Sequence, residues 1–77
     1  AYDVPVQQCV EIPSCGSVCY DGWRPSGRPE YGMCHLSSSK GESEYVGIGD
    51  ALRFKGCCLR VEEGDRNSVI LTQCPSF

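Results

Sequence analysis

Hydrophobic and polar residues alternate along much of this chain with a period of two, the spacing of a half-buried strand. At the amino end Val4, Val6, Val10 and Ile12 share one face, with Gln8 the single polar interruption, and Asp3, Gln7, Cys9 and Glu11 share the other. This predicts one strand, held to a sheet edge or to its own first turn by Pro5, which has no backbone donor. Residues 13–17, Pro-Ser-Cys-Gly-Ser, predict a turn, and residues 18–23 a short second strand. Residues 22–32 carry Pro25, Gly27 and Pro29 and read as an exposed loop. A third strand is expected over residues 31–36, followed by a serine-rich tract, residues 37–43, expected to be mobile.

The carboxyl half predicts a strand over residues 44–48. Beyond it Leu52, Phe54 and Cys58 share one parity, whereas Leu59 and Val61 take the other. A change of apolar face beside a glycine is what a β-bulge produces, and Gly56 is the natural place for one. A helix of one and a half turns over residues 51–55, capped by Asp50, is the competing expectation. Residues 62–67 read as a polar turn, making residues 52–73 a hairpin. No repeat and no domain boundary interrupt residues 1–77. The fold class expected is all-β: a single small disulfide-stabilised β-barrel or two-layer β-sandwich.

A chain of 77 residues buries too little apolar surface to offset its ordering entropy comfortably, so cross-links are needed. Seven cysteines in 77 residues, about 9%, fall in the range of disulfide scaffolds. Such scaffolds need an oxidising compartment, and the protein is expected to be secreted and extracellular. No charged-then-apolar leader is present, so the chain reads as a mature form whose signal peptide has been removed. Cys57 cannot bridge Cys58, because adjacent residues do not fit disulfide geometry; in a strand the two point to opposite faces and reach different partners.

An odd count leaves one sulfur over. Cys34 or a member of the Cys57/Cys58 doublet is favoured, since Cys9 and Cys74 would clamp the two termini if paired. With Cys34 as the odd cysteine, the bridging set is Cys9, Cys15, Cys19, Cys57, Cys58 and Cys74. The leftover sulfur is either a free thiol or an intermolecular link, and the latter would make a disulfide-linked homodimer.

Net charge of -3 and a pI near 4.9 argue against nucleic acid as partner, because such binding neutralises phosphates with Lys and Arg. They argue equally against anionic membranes. No catalytic residue, metal ligand or cofactor site is assigned. His35, the only histidine, would have to serve any Ser-His-Asp or Cys-His scheme, and it reads more simply as a surface or turn residue. Cys15 and Cys19 form one knuckle-like pair, short of the two that structural zinc usually uses. Glu62, Glu63 and Asp65 read as a solvated tip.

Tyr20, Trp23, Arg24 and Tyr31 gather the residue types enriched at interface hot spots and are the candidate partner-binding residues, with Trp23 equally at home in a core. Protease inhibition is the alternative. Arg24 and Arg28 each precede proline, a bond trypsin-like enzymes cleave poorly, and Lys40 stands in the serine-rich tract.

An acidic, β-rich chain below a hundred residues, with six or more spread cysteines, one Cys-Cys doublet and no N-glycosylation sequon, resembles the fungal small secreted cysteine-rich, effector-like proteins. The resemblance covers the whole chain in layout and carries no diagnostic motif. It implies a non-enzymatic secreted effector or elicitor that acts on a host or competitor molecule, an extracellular protein or carbohydrate of another organism. Inhibitor and toxin or antimicrobial roles are the remaining classes. The eight-cysteine hydrophobin pattern is not met.

Overall fold

A computed structural model of the chain describes residues 1–25 and 32–75. Its elements are strands: β1 (Tyr2–Pro5), β2 (Gln8–Ile12), β3 (Gly16–Pro25), β4 (Gly32–Ser38), β5 (Ser43–Gly47), β6 (Ala51–Phe54), β7 (Cys57–Gly64) and β8 (Ser68–Gln73). They form two antiparallel four-stranded sheets, a terminal sheet ordered β1-β8-β7-β6 and a central sheet ordered β2-β3-β4-β5. Of the two architectures expected, the sandwich is the one built; the sheets do not close into a barrel. Val18, Leu36 and Val46 of the central sheet are buried together with Leu52, Leu59 and Leu71 of the terminal sheet.

The amino-terminal alternation belongs to two strands, not one. β1 ends at Pro5 and pairs with β8, while β2 pairs with β3. Between them Gln7 takes a left-handed φ of 66°. The Val6 amide donates to the Asn67 carbonyl at 2.7 Å and the Gln7 amide to the Tyr20 carbonyl at 2.8 Å. Val4 and Ile12 are both fully buried, so the corner preserves parity and the chain changes sheet without changing its apolar side. Pro5 does sit on an edge strand, since β1 is the outermost strand of its sheet.

Gly56 is a hairpin turn rather than a bulge. Phe54 pairs directly with Cys57, and Gly56 supplies the left-handed φ of 75°. A two-residue loop pairs position i with i+3 and so exchanges odd for even on the inward face, as a bulge would. No helix forms over residues 51–55. The expected single hairpin is therefore a three-stranded meander, β6-β7-β8, with its bulge between Val61 and Glu63. The polar turn is shorter than expected: Asp65 Oδ1 accepts from the Asn67 and Ser68 amides at 2.8 and 3.1 Å.

The serine-rich tract is also ordered by pairing. Ser37 and Ser38 end β4, Ser43 opens β5, and the Ser38 amide donates to the Glu42 carbonyl at 2.8 Å. Polar composition suits a solvated hairpin tip as well as a mobile segment, and the backbone bonds decide between them. Both ends of the exposed loop expected over residues 22–32 are strand instead, because β3 runs on to Pro25 and β4 starts at Gly32. The remainder, including Tyr31, lies outside the described residues.

Three disulfides staple the sandwich: Cys9–Cys19, Cys15–Cys57 and Cys58–Cys74. Cys9 and Cys74 thus bridge locally instead of clamping the termini. Cys57 and Cys58, adjacent on β7, do reach different partners. Cys15–Cys57 spans 42 residues and ties the hairpin turn before β3 to the start of β7. By loop-closure entropy it contributes about 4 kcal/mol, against about 3 kcal/mol for each of the other two. Cys34 is the free cysteine and is wholly buried.

Candidate functional site on the outer face of the central sheet

The register of β3 against β4 shifts between Tyr20 and Gly22. Tyr20 stands opposite Leu36, Gly22 opposite His35, Trp23 opposite Cys34 and Arg24 opposite Met33. Asp21 is the extra residue of a β-bulge, and it inverts the alternation of everything after it. Without it, Trp23 would face solvent and Arg24 the core. With it, Trp23 packs against the buried core and Arg24 is exposed. Gly22 carries the strain at φ 147°, a conformation that residues with a side chain rarely adopt.

On the solvent side the bulge brings Asp21 beside His35. His35 Nδ1 lies 3.1 Å from Asp21 Oδ2, which sets the ring beside a carboxylate. Asp21 is itself anchored, its carbonyl accepting from Gln7 Nε2 at 2.9 Å. His35 stands opposite Tyr45 in the β4–β5 register, and their ring centroids are 4.5 Å apart at an interplanar angle of 38°. Arg24 completes the group, its guanidinium carbon 5.2 Å from the centre of the Tyr45 ring, within cation–π range. Three strands therefore contribute to one row: Asp21 holds His35, His35 leans on Tyr45, and Arg24 lies over Tyr45.

Tyr45 is 43% exposed and Ile48, in the turn after β5, is 51% exposed; they are the large hydrophobic residues left open among the described residues. The row offers one guanidinium, one imidazole and one phenol on a sheet face. Among the described residues no hydroxyl or thiol is hydrogen-bonded to His35.

The expected contact residues divide. Tyr20 is fully buried, and its hydroxyl donates to the Asp65 carbonyl, so its place on a contact surface is corrected. Its phenol is pushed far above the ordinary value of 10.0, chiefly by burial and further by Cys34 beside it. Trp23 belongs to the core rim, the competing role its sequence allowed. Arg24 alone is presented to solvent, and Tyr31 falls outside the described residues. Asp21, His35 and Tyr45 were missed as a group, although the alternation of Cys34, His35 and Leu36 does place His35 opposite to the core.

Cys34 projects inward and packs against Gly64. Burial raises its thiol above the ordinary 9.0; a hydrogen bond with Tyr20 offsets part of this, and Asp65 adds to it. Its sulfur is enclosed, so it cannot link two copies unless the sandwich opens. Elsewhere, Glu62 accepts from Thr72 Oγ1 at 2.9 Å. Among the described residues no group of three His, Cys, Asp or Glu side chains is placed to hold a metal ion. A concavity of about 540 Å³ beside the Cys15–Cys57 and Cys58–Cys74 bridges is lined by Ser14, Arg53, Phe54 and Gln73, with Arg53 its one charged side chain.

Compared with protein-family models, curated proteins and solved structures, the chain matches none.

Proposed function

We propose that this is a secreted, non-enzymatic interaction protein, of the effector or elicitor kind, that meets its partner with the outer face of the central sheet. Three disulfides in so small a chain are typical of extracellular proteins. The observation that carries the proposal is the Arg24–Tyr45–His35 row. Tyr and Arg are hot-spot residues, and here they stand side by side on an exposed sheet face.

The test is a binding screen of the oxidised protein against extracellular proteins and polysaccharides, followed by hydrogen exchange on each complex. Slowed exchange in β4 and β5, with binding lost in Arg24→Ala, is the expected result. A partner that instead protects the β6–β7 turn and β8 would move the site to the cleft beside Arg53. Catalytic turnover of a substrate by the purified protein would overturn the non-enzymatic part.

Protease inhibition draws some support from one feature. Lys40 stands in an ordered tip, where the Gly41 amide donates to the Ser38 carbonyl at 3.1 Å, not in the mobile tract expected. The tip is a tight turn rather than an extended strand, so it fits an active-site cleft less well than the sheet face fits a flat partner. Stoichiometric inhibition lost in Lys40→Ala would favour this second reading.

A further inference from the structure

We infer that the Arg24–Tyr45–His35 row binds an acidic peptide segment of a protein partner, through a carboxylate set on Arg24 and an apolar side chain on Tyr45 and Ile48. This rests on the outer face of the central sheet being the contact face.

A guanidinium in cation–π contact with a ring spends no N–H donor on a hydrogen bond to it. Arg24, exposed and with its guanidinium carbon 5.2 Å from the Tyr45 ring centre, offers the donor fork that a carboxylate matches with two parallel bonds. Among the described residues no carboxylate forms an ion pair with Arg24; the carboxylate nearest in sequence, Asp21, is taken by His35. A cation beside an aromatic ring, on a protein of net charge -3, gives an acidic partner a local point of attachment.

The occupant's class follows from the aromatic ring. A sugar would stack on an open ring face, but Arg24 lies over Tyr45 and His35 flanks it. What stays open is the remaining Tyr45 surface and, three residues further along the chain, Ile48. An anion site beside apolar surface fits a peptide carrying Asp or Glu next to an aliphatic or aromatic residue.

The probe is a phage-displayed random-peptide library, panned on the immobilised oxidised protein, with selected sequences resynthesised for calorimetry and hydrogen exchange. The expected result is enrichment of Asp or Glu beside an apolar residue, and protection of β4 and β5. Changing that acid to its amide, or Arg24→Gln, should each weaken binding roughly tenfold or more, and the two together should cost little beyond either alone. Arg24→Lys should restore only part, since a point charge lacks the fork, and Arg53→Gln should change nothing. Arg24 is exposed, so these variants keep the fold, which non-reducing mass and circular dichroism verify.

Selected peptides that bind β4 and β5 but carry no acid, or that ignore Arg24→Gln, overturn the inference and leave the contact face standing. Peptides that bind only the Arg53 cleft overturn both. The peptide occupant is also overturned if panning yields no binder, or if oligogalacturonate alone binds in an Arg24-dependent manner.

Discussion

Gly64 on β7 faces the sulfur of Cys34 on β4 so closely that a methyl group there would sit 2.7 Å from the sulfur. The Tyr20 hydroxyl, beside the same sulfur, crosses between the sheets to the Asp65 carbonyl. Gly64→Ala should therefore destabilise by overpacking, by about 1–3 kcal/mol. Val69 at 3.4 Å closes the other way out. Cys34→Ala should recover part of this loss, and a double-mutant cycle by chemical denaturation measures the coupling. Equal losses in the presence and absence of the sulfur would mean that Gly64 serves another purpose.

The Cys34 thiol should be silent in the folded protein. With three bridges intact, a thiol reagent is expected to modify no cysteine under native conditions and one in denaturant without reductant. Intact mass before and after unfolding checks this. Rapid native labelling would show that the sandwich opens readily at the Cys34–Gly64 contact.

Alkali should unfold the protein through the same cluster. Folding raises the Cys34 thiol above 9.0 and the Tyr20 phenol above 10.0. The folded chain thus holds these protons more tightly than the unfolded chain does. Stability from both groups is fully present below pH 9 and falls as pH rises through the ordinary thiol and then phenol values. Cys34→Ala should remove the earlier part of the decline and Tyr20→Phe the later part. The latter also costs about 1 kcal/mol for its lost hydrogen bond. Denaturation followed fast enough to precede disulfide exchange is the measurement.

Gly22→Ala tests the bulge. Nothing lies within 4 Å of the added methyl, so space is not limiting, whereas φ 147° is strained for any side chain. A loss of about 1–3 kcal/mol is expected, together with a shift in Trp23 emission if the register of β3 relaxes. An unchanged stability would show that the backbone can adjust there without losing the bulge.

How far the fold could be read in advance depends on what alternation measures. It reports which side of a strand meets the core, so the shared faces of Val4 with Ile12, Leu52 with Phe54, and Leu59 with Val61, all buried, were legible, and with them the all-β class. It is blind to which sheet a strand joins, because the Val6–Gln7 corner keeps parity across the change. It also treats a bulge and a two-residue hairpin alike, so Gly56 was placed correctly as an irregularity and wrongly as a bulge. At Asp21 the opposite error occurred. A bulge within an apparently continuous strand inverted the faces of Trp23 and Arg24, and it broke up the contact group expected around them.

The cysteine count by itself determined that at least one thiol would stay without an intramolecular bridge and that the chain needs staples at its length. Composition likewise determined an acidic molecule with no excess of cations to spread over phosphates. Tertiary structure alone decided the pairing of the sulfurs, the enclosure of Cys34 against Gly64, and the meeting of Asp21, His35, Tyr45 and Arg24. Those residues come from three strands, and what joins them is cross-strand register. Register here turns on the extra residue Asp21 between β3 and β4, a bulge that the alternation of side chains does not disclose.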